Sequence, residues 1–176
     1  MNQTIDASMQ GIHHVAYRCR DSAETVEFYT NVLGLDYCAA HRSRTRHADK
    51  SEMLHTFFRC ADGSHIAFFE LPELEDQGWD PHTPRWVQHF AFRVADEAAQ
   101  QVIMERLKAR NIPIDGPKVG PTCLSIYFED PSGNRLEVAV PHQLDEAVWR
   151  RKAQEDLARW EVEKKALVKH SQKQAA

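Results

Sequence analysis

The chain has 176 residues, 42% of them hydrophobic and 27% charged, with a formal net charge of −4. That length suits one domain or two small modules sharing a core, and the apolar fraction is too high for a disordered chain. The slight acidic excess gives no electrostatic reason to expect nucleic acid as a partner.

No apolar run is long enough to span a bilayer, and residues 1–10 lack the hydrophobic centre of a signal peptide. A cytoplasmic location without membrane attachment is the expectation. The four cysteines, Cys19, Cys38, Cys60 and Cys123, form no C-x-x-C pair and are expected to be free thiols. Ten histidines are many for a chain of this size.

In chain order, residues 12–18 form a short β-rich run. Asp21-Ser22-Ala23-Glu24 is a capping-box pattern with an acidic cap. Val26, Tyr29, Val32 and Leu33 then recur at helical spacing, and Gly34 ends the helix. Strands are expected over 36–42, 55–61 and 64–71. The run His41–His47 (H-R-S-R-T-R-H) reads as a solvated loop. A connector rich in Pro, Glu and Asp follows, with Trp79 and Trp86 either capping a pocket or anchoring the segment.

The second half repeats the first. Q-H-F-A-F-R at 88–93 aligns with H-H-V-A-Y-R at 13–18, which sets His14 against His89. Asp96 is the next helix cap, Ala99, Val102, Ile103, Arg106, Leu107 and Arg110 share one face, and Asn111 is the stop. Strands are expected over 112–119, 122–129 and 134–140. The fold class is therefore α+β: two βαβββ modules in a pseudo-twofold arrangement, forming a cup-shaped mixed sheet. The first module covers 10–72, the connector 73–86 and the second module 87–141, in one structural domain. Residues 142–176 form a charged C-terminal helix with a weak stripe of Ala153, Leu157, Trp160, Lys164, Leu167 and Val168, expected to be solvated and packed on one side.

Strand alternation sorts the side chains by face. Leu124, Ile126 and Phe128, then Leu136, Val138 and Val140, then Phe90, Phe92 and Val94 form the helix-covered face. His14, His89, Tyr127 and Glu137 fall on the other, beside Ala16 and Ala91. Two imidazoles and a carboxylate on one face match the 2-His-1-carboxylate donor set, which leaves coordination positions open. Each ligand must be deprotonated, so binding should weaken as pH falls. Glu70 shares the parity of Ile66 and Phe68 and is a further ligand candidate. Its offset from Gly63 differs from that of Glu137 from Gly133, so its equivalence to Glu137 stays open.

Residues 11–141 resemble the vicinal oxygen chelate superfamily of glyoxalase I, extradiol dioxygenases, methylmalonyl-CoA epimerase and bleomycin or fosfomycin resistance proteins. The carriers are G-I-H-H-V-A-Y-R, F-Y-T-N-V-L-G-L, Q-H-F-A-F-R-V and I-Y-F-E-D-P-S-G-N-R-L-E-V. The resemblance implies that His14, His89 and Glu137 hold a divalent metal ion. The run Y-x-x-D-P-x-G-x-x-x-E (Tyr127, Asp130, Pro131, Gly133, Glu137) resembles extradiol dioxygenases. In those enzymes Fe(II) chelates a catecholate and dioxygen binds at an open position, with Tyr127 here as the catalytic hydrogen-bond donor. The chain departs from that signature in having no histidine over 116–123, so proton transfer would fall to His41, His47, His55 or His65. The glyoxalase I–type alternative uses four ligands, here with Glu70 as the fourth, and Ni, Zn or Co; Mn also suits such a donor set. A third alternative is a small-molecule binding or resistance protein without catalysis. All three take a small-molecule ligand, and a homodimer is common in the family.

Overall fold

The computed structural model describes residues 11–44, 51–73 and 83–174, with side chains 161 and 165–174 left aside. Two four-stranded mixed sheets carry the fold, each with its own helix, followed by a long C-terminal helix. The chain divides into two compact units, Met1–Val140 and Pro141–Ala176.

In the first module, β1 (His14–Cys19) leads into α1 (Ser22–Glu27). Asp21 caps this helix as its sequence predicts, its carboxylate accepting from the Glu24 amide at 2.8 Å. The helical run continues through Phe28–Val32 as a π-turn, which the 3.6-residue pattern did not signal. Three strands follow, β2 (Asp36–Arg44), β3 (Glu52–Arg59) and β4 (His65–Glu70), in the sheet order β1-β4-β3-β2. Strand β2 lies at one edge of the sheet, with β1 at the other, and is longer than its sequence suggests. His41–Arg44, read as a loop, extends it and is exposed, whereas His47 lies outside the described residues.

The second module repeats this plan with β5 (Phe90–Arg93), α2 (Glu97–Ala109), β6 (Asp115–Val119), β7 (Cys123–Glu129) and β8 (Arg135–Pro141), in the order β5-β8-β7-β6. Asp96 caps α2 through the Ala99 amide, and Asn111, at φ 55°, follows the helix end as expected. The buried stripe of α2 is Gln100, Ile103, Met104 and Leu107, while Val102 is exposed. Gln100 sits there without an orphaned amide because its Nε2 donates to the carbonyls of Leu124 and Val138, at 3.0 and 2.9 Å. In both modules the first and last strands pair in parallel, and the β-hairpin before the last strand turns on a glycine at positive φ, Gly63 at 86° and Gly133 at 82°.

The helix-covered faces of the two sheets share one core. Phe58, Ile66 and Phe68 from the first sheet join Ile126, Phe128, Leu136 and Val138 from the second. Phe28, Tyr29, Val32, Ile103, Met104 and Leu107 lie between them. Polar contacts also cross the modules: the Tyr29 hydroxyl donates to Asp130 at 2.9 Å, and Arg106 donates to the Val32 carbonyl at 3.1 Å. The helix-free face of each sheet lies away from this core, and β1 and β5 meet across the modules through Tyr17 and Phe90, whose rings are 4.7 Å apart.

The second unit is dominated by α3 (Glu146–Gln174). Of its stripe Ala153, Leu157 and Trp160 are exposed and Lys164 is half-buried, while the side chains of Leu167 and Val168 are not among those described; Trp86 in the connector is exposed. Trp79 lies outside the described residues. Among the described residues no helix is long and apolar enough to cross a membrane.

Candidate metal centre

The site is built on the helix-free face of the second sheet. Register places Ala91 opposite Glu137, and His89 immediately precedes β5, two residues before Ala91, so the imidazole and the carboxylate meet. His89 Nε2 lies 3.0 Å from Glu137 Oε2. The other ring nitrogen, Nδ1, lies 3.2 Å from the Val87 carbonyl oxygen, which can only accept. A neutral ring with its proton on Nδ1 donates to Val87 and offers the Nε2 lone pair to a cation shared with Glu137, whereas the other tautomer donates its Nε2 proton to the carboxylate directly.

Glu137 is almost fully buried, and among the described residues its one ion-pair partner is His89. A buried carboxylate without a guanidinium or ammonium partner is costly. Its Oε1 accepts from the Ser125 hydroxyl, which is itself buried, and Cys123 Sγ lies 3.6 Å from the same oxygen. The donor set and this charge imbalance both fit a divalent ion held by His89 and Glu137.

Tyr127 lies on the same face. Its ring is 5.8 Å from that of His89, edge to face, and the Arg135 guanidinium stands 4.6 Å over the ring. Burial, and then the charge of Glu137, push the phenol above its ordinary range, so it stays protonated at neutral pH and can donate.

His14 occupies the matching place on the first sheet. It is exposed, its Nδ1 is 2.7 Å from that of His13, and its ring meets Phe57 edge to face at 5.9 Å. Around it, on the same helix-free face, lie His41, His55 and His65, set there by the pairings His14–His65 and His41–His55. His55 stacks on Phe69 at 3.7 Å and leaves a buried Nε2 without a hydrogen-bond partner. Its pKa is pushed down by burial first, and then by His14 and His41. Within the described residues of one chain, no three His, Cys, Asp or Glu side chains are gathered closely enough to hold an ion. The structure thus brings His89, Glu137 and Tyr127 together and leaves His14 apart, on the other sheet.

Glu70 is not brought to either group. Its partner in register is Cys19, on the helix-covered side, and its Oε2 accepts from the Ser22 amide at 2.8 Å. It serves the N-terminus of α1 and, among the described residues, is not gathered with His89 and Glu137. Register also settles which residue matches Glu137. Ala16 pairs with Ala67 as Ala91 pairs with Glu137, so the first module carries a buried alanine there. Parity alone misled because Ile66 and Phe68 were not yet tied to a face. Ser125 and Cys123 were not singled out from the sequence. Their parity with Tyr127 was visible, but a hydroxyl's partner depends on the neighbouring strand.

The sequence profile of the Glyoxalase/Bleomycin resistance protein/Dioxygenase superfamily matches residues 11–138. The chain belongs to this superfamily. Among curated proteins, a relative of the superfamily member is the protein named "Putative ring-cleaving dioxygenase MhqA" of Bacillus subtilis (strain 168). The two are 24% identical over 140 residues, which are 77% of this chain and 42% of that protein. The superfamily chain thus spans less than half the length of that relative. Solved structures share the fold. The glyoxylase/bleomycin resistance protein/dioxygenase domain from Frankia sp. EAN1pec has a TM-score of 0.63 at 21% identity, covering 77% of this chain and 100% of that one. A glyoxalase/dioxygenase from Nostoc punctiforme has a TM-score of 0.58 at 22% identity, covering 81% and 99%. Fosfomycin resistance protein FosX from Mesorhizobium loti has a TM-score of 0.53 at 20% identity, covering 80% and 98%.

Proposed function

We propose that this chain is a metal-dependent enzyme of the superfamily that opens an aromatic diol with dioxygen, with His89 and Glu137 of one copy and His14 of a second copy holding the ion. The observation that carries the reading is the buried Glu137 carboxylate facing His89 Nε2 with Tyr127 beside them. A three-ligand set is favoured over a four-ligand one because the first module has Ala67 where the second has Glu137. The name of the Bacillus subtilis relative points the same way.

A redox-active divalent ion, with Fe(II) favoured, would chelate two adjacent substrate oxygens and relay electrons from the diol to dioxygen, both atoms of which end in the ring-opened product. The chain's own residues supply the rest. The Val87 carbonyl, 3.2 Å from His89 Nδ1, is placed to hold the tautomer that metal ligation through Nε2 requires. Tyr127 stays protonated and donates to a substrate oxygen. A second copy that brings His14 brings with it His41, His55 and His65 as proton acceptors. His14 is exposed on a face turned away from the core, which leaves it free for such a partner.

The test starts from metal analysis of protein purified without chelator, followed by anaerobic loading with Fe(II). On 4-methylcatechol the loaded protein should consume one dioxygen per diol and form a ring-opened chromophore, and Glu137→Ala should abolish both. Activity on a hemithioacetal with bound nickel or zinc, and none on catechols with iron, would replace this reading by the isomerase one.

A further inference from the structure

The two oxygens of Glu137 meet different partners. Oε2 faces His89 Nε2 at 3.0 Å, whereas Oε1 accepts from the Ser125 hydroxyl. A serine hydroxyl has one proton and an ionised carboxylate has none, so that proton is committed to Oε1. Ser125 Oγ also lies 3.2 Å from Cys123 Sγ, whose thiol is directed at the same Glu137 Oε1 at 3.6 Å. Ser125 is 2% exposed and Glu137 5%, so water does not compete strongly for this bond. A charge-assisted hydrogen bond in such a setting fixes the carboxylate's rotation as well as stabilising its charge.

Comparison of the modules shows that this arrangement is specific to the second. The hairpin bonds Cys60 N–H to Ser64 and Asp130 N–H to Asn134 occupy the same place in each module. Counting back from them, Ser125 corresponds to His55, and counting forward Glu137 corresponds to Ala67. The buried hydroxyl is present only where the buried carboxylate is present. We propose that Ser125 is a positioning residue for the metal centre: it holds Oε1 so that Glu137 offers Oε2 alone, on the side of His89 Nε2. This rests on the metal-centre reading given above, and it adds that the carboxylate binds through one oxygen.

Co(II) is the probe, since its absorption reports coordination and its affinity can be measured against a chelator without turnover. The full-length protein is compared with Ser125→Ala, Ser125→Thr and Glu137→Gln, each also followed by thermal unfolding without metal. Ser125→Ala should bind Co(II) about 10–100-fold more weakly, the usual cost of losing a partner behind a metal ligand, and should alter the Co(II) spectrum. Ser125→Thr, which keeps the hydroxyl, should restore both. Co(II) affinity in Ser125→Ala equal to that of the unchanged protein would overturn the proposal. So would equal losses in the alanine and threonine variants, because the hydroxyl would then have no part. If Glu137→Gln binds Co(II) as tightly as the unchanged protein, the metal-centre reading itself fails and takes Ser125 with it. A weak Glu137→Gln beside an unaffected Ser125→Ala sinks the Ser125 role alone.

Discussion

Tyr127 is the residue whose chemistry depends most on its surroundings. Desolvation and the neighbouring Glu137 carboxylate both disfavour its phenolate, so the hydroxyl remains a donor across the neutral range. Removing only that hydroxyl in Tyr127→Phe keeps the ring between His89 and Arg135. Metal content and anaerobic catechol binding should be unchanged, while kcat should fall about 10²–10⁴-fold, the usual range for a positioned proton donor. Steady-state oxygen uptake beside an anaerobic binding titration checks this; equal kcat in the variant would show that the hydroxyl is not used. At this scale the shared helix-free face of His89, Tyr127 and Glu137 was legible in the sequence, because strand alternation set them opposite the apolar residues Phe90, Phe92, Ile126, Phe128, Leu136 and Val138. Convergence was not legible, since alternation says nothing about which sheets face each other.

At the scale of elements, two acidic residues hold segment ends. Glu70 accepts from the first amide of α1, where Asp21 also caps. Glu70→Gln should therefore leave metal stoichiometry unchanged and lower stability by about 1 kcal/mol, as for the loss of a helix-terminal partner. Metal analysis and chemical denaturation together decide, and a lost metal would restore Glu70 as a ligand. Asp130 organises the β7–β8 turn. Its carboxylate accepts from the amides of Ser132 and Asn134, from Asn134 Nδ2 and from the Tyr29 hydroxyl, all at 2.8–2.9 Å. The Asp-Pro-Ser-Gly-Asn run is thus a turn and a tie between modules, and only its turn character was readable from residue types.

Burial raises the Asp130 pKa despite those bonds. The native state then holds this proton at a pH where the unfolded chain has released it. The stabilisation from the raised pKa is complete below the ordinary carboxylate range and is lost as pH rises through the raised native value. Compared with Asp130→Asn, which does not titrate, the unchanged protein should lose relative stability from acid toward neutral pH. Denaturant unfolding of both proteins across that range measures the difference, and a difference that grows with pH would refute the assignment.

For the whole molecule, the controlling fact is the common core. One continuous set of side chains serves both helix-covered faces, and among the described residues of one chain His14 is not gathered with His89 and Glu137. The internal repeat made two βαβββ modules legible, along with the edge-to-edge likeness of their histidines. It left their packing open, because the same apolar faces suit either arrangement. A second copy resolves the geometry: the first module of one chain would meet the second module of the other, giving two equivalent sites per dimer. The purified protein should then sediment as a dimer that binds two ions. His14→Ala and Glu137→Ala, each lacking one ligand in every site, should both be inactive. After mixing and subunit exchange, the hybrid pairs one chain of each kind. One of its sites then combines His14 with an intact His89 and Glu137, and the other carries both defects. A mixture with equal shares of the two variants, exchanged fully, contains half hybrids and should regain about a quarter of the unmodified activity, following from the symmetry of a twofold interface. Three ligands drawn from a single chain would give no recovery on mixing, since every chain would then carry its own broken site.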